Sequence, residues 1–148
     1  MKDKYETCIS SGGTKYYYKN RELHREDGPA CEWADGTKVW YIAGLLHRED
    51  GPAIEYEDGT KEWWINGLRH RENSPAIEYC DGYKEWYING KLHREDGPAI
   101  ECTNVTREWY LHGREITNEV DEWIYSNNIP DYKAWSNKEI ALFKLKFI

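Results

Sequence analysis

The chain has 148 residues, a length that predicts a single domain. Eight Trp and twelve Tyr residues supply much of its apolar surface, so we expect a core of aromatic rings that keep their polar atoms within reach of a partner. A net charge of −7 argues against general binding of nucleic-acid phosphates, which needs a surplus of Lys and Arg, although a local Arg cluster can still hold a small anion.

The four cysteines indicate a reducing compartment. Cys8 and Cys31 occupy equivalent repeat positions about 10 Å apart, too far for a disulfide, and we expect both to be buried as small apolar side chains. The sequence shows no signal peptide and no apolar run of about 18 residues, so we expect a cytoplasmic protein without a membrane span, in the host cytoplasm if it is viral. The glycosylation acceptor pattern at residues 104–106 would then be unused.

One phrase recurs every 23 residues: residues 62–72 and 85–95 read Glu-Trp-Trp-Ile-Asn-Gly-Leu-Arg-His-Arg-Glu and Glu-Trp-Tyr-Ile-Asn-Gly-Lys-Leu-His-Arg-Glu. A fixed period of this length is typical of repeat architectures. The same spacing aligns His24, His47, His70 and His93, and also Tyr17, Trp40, Trp63, Trp86 and Trp109. Residues 5–13 look like a half-repeat, and a fifth repeat begins at Arg107.

Two turn signals alternate within each repeat and predict β-hairpins. The first is Asn-Gly, at residues 66–67 and 89–90, and the second is Asp-Gly, at residues 35–36, 58–59 and 81–82. Both are strong hairpin signals because the two central residues of a tight turn take positive φ. The fold is therefore predicted to be mainly β: a single-layer antiparallel β-meander of hairpin repeats over residues 1–115. The Glu-Asp-Gly-Pro-Ala segment is predicted to kink each return strand.

The turn at residues 66–67 also predicts the register of side chains on the two faces. It places Trp64 opposite Arg69 and Glu62 opposite Arg71. By strict alternation, one face carries a ladder of aromatic–His pairs, namely Trp40 with His47, Trp63 with His70 and Trp86 with His93. The other face carries the Arg row, Arg25, Arg48, Arg71 and Arg94, beside the aromatic residues Tyr18, Tyr41, Trp64, Tyr87 and Tyr110.

The repeat period gives way to helical spacing near Thr117. A first helix is predicted to start there and to end at residues 127–130, which read Asn-Asn-Ile-Pro. Ser136 and Glu139 form the capping-box pattern of a second helix. Because the last strand of an open repeat sheet needs a cover, residues 116–148 are predicted to form a two-helix cap.

The pattern Trp-x-x-Asn-Gly-x-x-His-x-x-x-Gly, with an Asp-Gly turn between copies, resembles MORN-type repeats over about residues 8–113. It departs from them in its His-Arg-Glu-Asp-Gly-Pro-Ala return strand, since the usual pattern has Gly soon after the His. That phrase and the tail at residues 119–124 look similar to small proteins of large tailed bacteriophages. The MORN resemblance implies an extended, twisted sheet that binds proteins or lipid headgroups, and it implies no catalysis.

The aromatic–His ladder is interpreted as structural rather than as a metal site or a proton relay. Its rungs are about 10 Å apart, whereas zinc ligands converge within about 2 Å of one ion. We therefore expect the His rings to stack on Trp and to hydrogen-bond nearby backbone. No metal and no cofactor is predicted.

The Arg row is the candidate binding site, because guanidinium groups beside aromatic planes can stack a base and pair a phosphate. The alternative is cross-strand ion pairing, Arg71 with Glu62 and Arg94 with Glu85, worth less than about 1 kcal/mol each where exposed. Arg25 and Arg48 face no acid in this register, so they are expected to be freer to meet a ligand.

The polar residues recur once per repeat, whereas active sites are singular, so no enzyme and no catalytic residue is predicted. The chain is predicted to be a non-enzymatic binding protein, of a phage anti-defence type that captures a host protein or complex. The first alternative is a sponge for a small nucleotide-type immune signal. The second is a structural or lipid-binding scaffold, which the negative charge disfavours. Because a one-layer sheet leaves rings exposed, a homo-oligomer is also expected.

Overall fold

The computed structural model describes residues 4–103 and 106–148, so the glycosylation acceptor pattern lies largely outside the described residues. The fold is mainly β, with antiparallel strands in meander order followed by two α-helices, as predicted. The strands are β1 (Glu6–Ile9), β2 (Lys15–Lys19), β3 (Glu22–Leu23), β4 (Cys31–Glu32), β5 (Lys38–Val39), β6 (Tyr41–Ile42), β7 (Leu45–Leu46), β8 (Ile54–Glu55), β9 (Lys61–Glu62), β10 (Trp64–Ile65), β11 (Leu68–Arg69), β12 (Ile77–Glu78), β13 (Lys84–Glu85), β14 (Tyr87–Ile88), β15 (Lys91–Leu92), β16 (Ile100–Glu101), β17 (Arg107–Glu108), β18 (Tyr110–Leu111) and β19 (Arg114–Glu115). The helices are α1 (Thr117–Ser126) and α2 (Asn137–Phe147), with a 3-10 turn at Tyr132–Ala134 between them.

The strands form one long sheet and a series of short hairpins beside it. The long sheet runs β1-β2-β4-β5-β8-β9-β12-β13-β16-β17, with β3 paired to β2. The Asn-Gly hairpins are separate strand pairs, such as β10 with β11, and each bonds to its neighbour through the backbone: the Gly67 amide donates to the Leu46 carbonyl at 2.9 Å. The chain is therefore hydrogen-bonded from repeat to repeat although most strands are only two residues long.

The two kinds of turn have different geometries. Asn66 and Gly67 both take positive φ, 50° and 77°, and the register Trp64–Arg69 and Ile65–Leu68 confirms the predicted two-residue turn. At the Asp-Gly turn Gly59 alone does so, with φ 91°, so the expectation of two positive φ values is wrong there. The Asp58 carboxylate instead accepts the Thr60 amide at 2.8 Å, and the Gly59 amide donates to the Tyr56 carbonyl at 3.1 Å, so these bonds close a turn that ends in a left-handed glycine.

The buried apolar residues of the first four repeats are mainly Ala, Cys, Val and Ile. Ala30, Ala53, Ala76 and Ala99 have no exposed surface and stand after the proline of each return segment, where the predicted kink keeps the chain out of the strands. Cys31 is buried against Val39 and Ile54, as expected for its position. Cys8 is exposed, contrary to the prediction, because β1 is the edge strand of the sheet in the described residues.

The largest hydrophobic cluster lies between the fifth repeat and the helices. Trp109 is fully buried against Val120 and Phe143, with Trp135 stacked on it at 5.3 Å between ring centroids. The Ser136–Glu139 capping box of α2 is present as predicted. Neither α-helix in the described residues has the length and apolar character that crossing a bilayer requires.

The helices take the place of the return segment after the fifth hairpin. In the third repeat the Trp63 amide donates to the Ala76 carbonyl of that repeat's own return segment at 2.8 Å. The Trp109 amide instead donates to the Thr117 hydroxyl at 3.1 Å, at the start of α1. The cap thus supplies the hydrogen-bond acceptor that the Trp109 amide needs, and it also covers the Trp109 ring.

Candidate functional site

The Arg row lies on the same face as the aromatic–His ladder, not on the opposite face as predicted. Each guanidinium stacks on the aromatic residue of its own repeat, at 3.7–4.1 Å from the ring centroid: Arg25 on Tyr17, Arg48 on Trp40, Arg71 on Trp63 and Arg94 on Trp86. The prediction failed because strand pairing ends at Arg69, so the alternation of side chains does not extend to Arg71. We call this face the ladder face.

Three of the four Arg side chains are fully engaged within their repeat. Arg48 is typical: its Nε donates to Asp50 at 2.8 Å, and its terminal nitrogen donates to Glu55 at 2.9 Å and to the Pro52 carbonyl at 3.1 Å. Arg25 bonds the equivalent residues of its own repeat, Asp27, Pro29 and Glu32, so the expectation that these two are freer to meet a ligand is wrong. These contacts hold the return segment against the ring and give the Arg row a structural role.

The predicted ion pairs of the other two Arg residues also differ. Arg71 pairs with Glu78 at 2.7 Å rather than with Glu62, and Arg94 pairs with Glu101 rather than with Glu85. The acid seven residues after each Arg is therefore its partner, since the chain folds back through the Ser-Pro segment of the third repeat and the Gly-Pro segment of the fourth.

Each ladder histidine bonds the turn of the following repeat. Backbone amides of Ala43, Asn66, Asn89 and His112 donate to Nδ1 of His24, His47, His70 and His93, at 3.0–3.2 Å. This confirms the expected hydrogen bond to backbone, but guanidinium groups, rather than His rings, stack on the Trp residues. Within the described residues no three His, Cys, Asp or Glu side chains come together in a way that would hold a metal ion.

The His93 bond predicts a pH-dependent stability. Burial is the main cause that lowers the pKa of His93 from the usual 6.5; the His112 ring stacked on it at 4.2 Å adds to this, while Glu95 opposes it. The folded protein therefore binds this proton less readily than the unfolded chain does. The contribution of neutral His93 to the free energy of unfolding is complete above pH 6.5 and is lost as the pH falls below that value.

We expect the free energy of unfolding, measured in urea, to decrease between about pH 7.5 and pH 5.5, where histidines titrate. His93→Gln should flatten this slope. The pKa of Glu95 is lowered, chiefly by its hydrogen bond from Lys144, so that group titrates below the window. An unchanged slope in His93→Gln would assign the effect to other groups.

The opposite face, which we call the tyrosine face, carries Tyr18, Tyr41, Trp64, Tyr87 and Tyr110. From the third repeat onward a carboxylate of the preceding strand holds each ring: Trp64 Nε1 donates to Glu62 at 2.9 Å, and the Tyr87 hydroxyl donates to Glu85 at 2.9 Å. Burial, together with that carboxylate, raises the pKa of Tyr87 to about 12. The rings and acids of these repeats thus satisfy one another.

The first two repeats leave the tyrosine face without its carboxylates. Tyr16 and Val39 occupy the positions of Glu62 and Glu85. Trp33 stands two residues after Cys31, which pairs with both Tyr16 and Val39, and two residues before the Asp35-Gly36 turn, and 52 % of its surface is exposed. Sequence reasoning missed Trp33, although the repeat spacing aligns it with Tyr56 and Tyr79. Tyr16, Tyr18, Trp33 and Tyr41 make up the uncharged aromatic surface that we call the aromatic patch, and Val39 is buried against Tyr16 and Tyr41.

Two clefts open on the ladder face. The repeat-1 cleft, of about 490 Å³, lies between Arg25 and Arg48 and includes Trp40 and His47. The repeat-3 cleft, of about 470 Å³, is lined by Arg71, Asn73, Ser74, Trp86, Ile88, His93, Arg94 and Lys144 among others. Both volumes lie in the range of small-molecule sites.

Comparison with models of known protein families finds none that matches the chain, and comparison with curated proteins finds no match either. The repeated antiparallel hairpins are those of a β-hairpin repeat protein. The likenesses to MORN repeats and to tailed-phage proteins remain resemblances of sequence.

Proposed function

We propose that this chain is a non-enzymatic binding protein that captures another protein on its aromatic patch. The observation that supports this is the exposed Trp33 among rings that lack the carboxylate partners of the later repeats. Aromatic side chains at an uncharged centre with a polar rim are the usual anatomy of a protein-binding surface, and Trp and Tyr are the commonest sources of its binding energy.

The surroundings of the patch specify the chemistry of the partner. The exposed Asp35, Glu57 and Asp58 lie at the turns next to Trp33, and the whole chain carries a charge of −7. A partner with apolar side chains ringed by Lys and Arg would complement this surface and would be steered to it. The resemblance to tailed-phage proteins makes the proposed partner a bacterial host protein, captured in the host cytoplasm as an anti-defence act.

We expect purification from a bacterial host, followed by native mass spectrometry, to give a stoichiometric complex with one polypeptide. After that polypeptide is purified, Trp33→Ser should weaken its binding at least about tenfold, the effect of losing a central aromatic contact. Tyr125→Ser is the matched control, because Tyr125 is 87 % exposed on α1, outside the patch, and should bind like the unchanged protein.

Two results would overturn this proposal. Equal loss of binding in both variants would remove the patch from the interaction. A homo-oligomer that dissociates only in Trp33→Ser would mean that a second copy of the chain, not a host protein, covers the rings.

A further inference from the structure

The third repeat differs from the others in the two residues that stand where the other repeats have the Asp-Gly pair next to the ladder-face Arg. Residues 27–28, 50–51 and 96–97 read Asp-Gly, and each Asp carboxylate accepts a hydrogen bond from its Arg Nε, at 2.7–3.0 Å. The third repeat has Asn73 and Ser74 instead. Within the described residues, Arg71 bonds Pro75 and Glu78 through one terminal nitrogen, and its Nε has no carboxylate partner.

The replacement of Gly by Ser changes the space around the same guanidinium. A Cβ added at Gly28, Gly51 or Gly97 would lie 2.7–3.0 Å from the central carbon of the Arg that follows the His in that repeat. Ser74 has such a Cβ, and the Arg71 guanidinium lies closer to its ring, at 3.7 Å, than the 4.0–4.1 Å of the other three. The third repeat therefore keeps the ion pair of Arg71 with Glu78 but lacks the second pair, at Nε, that the other repeats form with Asp, and Asn73 and Ser74 line the cleft in place of Asp-Gly.

The repeat-3 cleft gains a cation from the cap. Lys144 of α2 lines it and bonds Glu95 at 2.8 Å. Three cations and three carboxylates line this cleft, a net charge of zero, against two cations and four carboxylates, net −2, in the repeat-1 cleft. Two of the three acids are paired, Asp96 with Arg94 and Glu95 with Lys144, and Glu72 is exposed. The repeat-3 cleft is therefore less acidic than the repeat-1 cleft, and among the described residues its Arg71 keeps an Nε without a carboxylate partner.

We propose that the repeat-3 cleft binds the phosphate of a small phosphate monoester. The Arg71 Nε and the Lys144 ammonium, which also bonds Glu95, are the charged donors, and the Asn73 amide and Ser74 hydroxyl, which line the same cleft, are further donors. The apolar part of the ligand lies against Trp86 and Ile88, which line the same cleft. This site is on the face opposite the aromatic patch and does not depend on the proposed capture of a protein.

Phenyl phosphate tests the proposal, because it carries one phosphate and one aromatic ring. In calorimetric titration of the full chain near pH 7.5, we expect saturable binding of one molecule, with weaker binding of inorganic phosphate and none of phenol. Benzoate presents the same ring on a carboxylate. Equal binding of benzoate, or no saturation by phenyl phosphate at millimolar concentrations, would overturn the phosphate assignment.

The decisive variant restores the sequence of the other repeats. Asn73→Asp with Ser74→Gly should fold normally, with an unchanged thermal midpoint or a higher one, and should weaken phenyl phosphate binding at least about tenfold, since it returns a carboxylate to Arg71. Lys144→Gln should also weaken binding, whereas Lys138→Gln, an equal loss of charge at an exposed position of α2 outside the cleft, should not. Unchanged binding in the restored variant, or equal loss in the two Lys variants, would place the ligand elsewhere.

Discussion

Replacing Trp109 with Ala should lower the free energy of unfolding by about 3–5 kcal/mol, the usual effect of removing a large ring from a core. Trp109 is fully buried, and both α-helices reach it, through Val120 and Phe143. The thin repeat sheet buries mainly Ala, Cys, Val and Ile side chains, so this cluster is its main hydrophobic anchor. Urea unfolding followed by circular dichroism measures the change.

Trp33→Ala is the matched control for that experiment. Its ring is half exposed and contributes little buried area, so we expect a loss within about 1 kcal/mol. If Trp109→Ala unfolds at the same urea concentration as Trp33→Ala, the helices do not stabilise the sheet, and the cap is an appendage rather than a structural end.

The parts of the fold that sequence predicted are those determined by local chemistry. The Asn66-Gly67 turn fixes the pairing of Trp64 with Arg69, because two positive φ values at adjacent positions admit few residues. Ser136 and Glu139 satisfy each other and the start of α2 without help from any distant residue. Because the hairpin sequence recurs every 23 residues, a correct prediction for one hairpin applies to most of the sheet.

The position of the Arg row was predicted wrongly, because it depends on where a strand ends. Alternation places Arg71 beside Trp64 if β11 continues, but pairing stops at Arg69 and the chain turns toward Pro75. A signal was present in the sequence: an acid follows each Arg after seven residues, as Glu78 follows Arg71. That spacing matters only once the kink at the proline of the return segment is known to bring the two side chains together.

The candidate sites, like the position of the Arg row, depend on contacts that the sequence alone does not reveal. Asn73 and Ser74 are visible in the sequence as departures from the repeat, yet they suggest a ligand only after the Asp–Arg bonds of the other repeats are seen. Lys144 was unpredictable as a cleft residue, since it arrives from α2, 49 residues after its partner Glu95. Side chains joined across such distances leave no periodic pattern.

Replacing Glu62 with Val should lower the free energy of unfolding by about 2–3 kcal/mol, less than for a fully buried ion pair because Arg69 is about a third exposed. Glu62 is only 8 % exposed and accepts hydrogen bonds from Tyr56, Trp64 and Arg69, at 2.9–3.3 Å. Its loss leaves a half-buried guanidinium without a counter-charge. Urea unfolding at neutral pH measures the loss.

The second repeat predicts how to recover that stability. The positions of Glu62 and Arg69 are occupied there by Val39 and Leu46, which pack in one apolar cluster. Glu62→Val with Arg69→Leu should therefore lie within about 1 kcal/mol of the unchanged protein, a coupling of at least about 1–2 kcal/mol between the two sites. Additive losses in the double variant would show instead that the third repeat needs its charges for packing. Recovery would mean that the ion pair is exchangeable for apolar contact, and that the uncharged composition of the aromatic patch is compatible with the fold at any repeat.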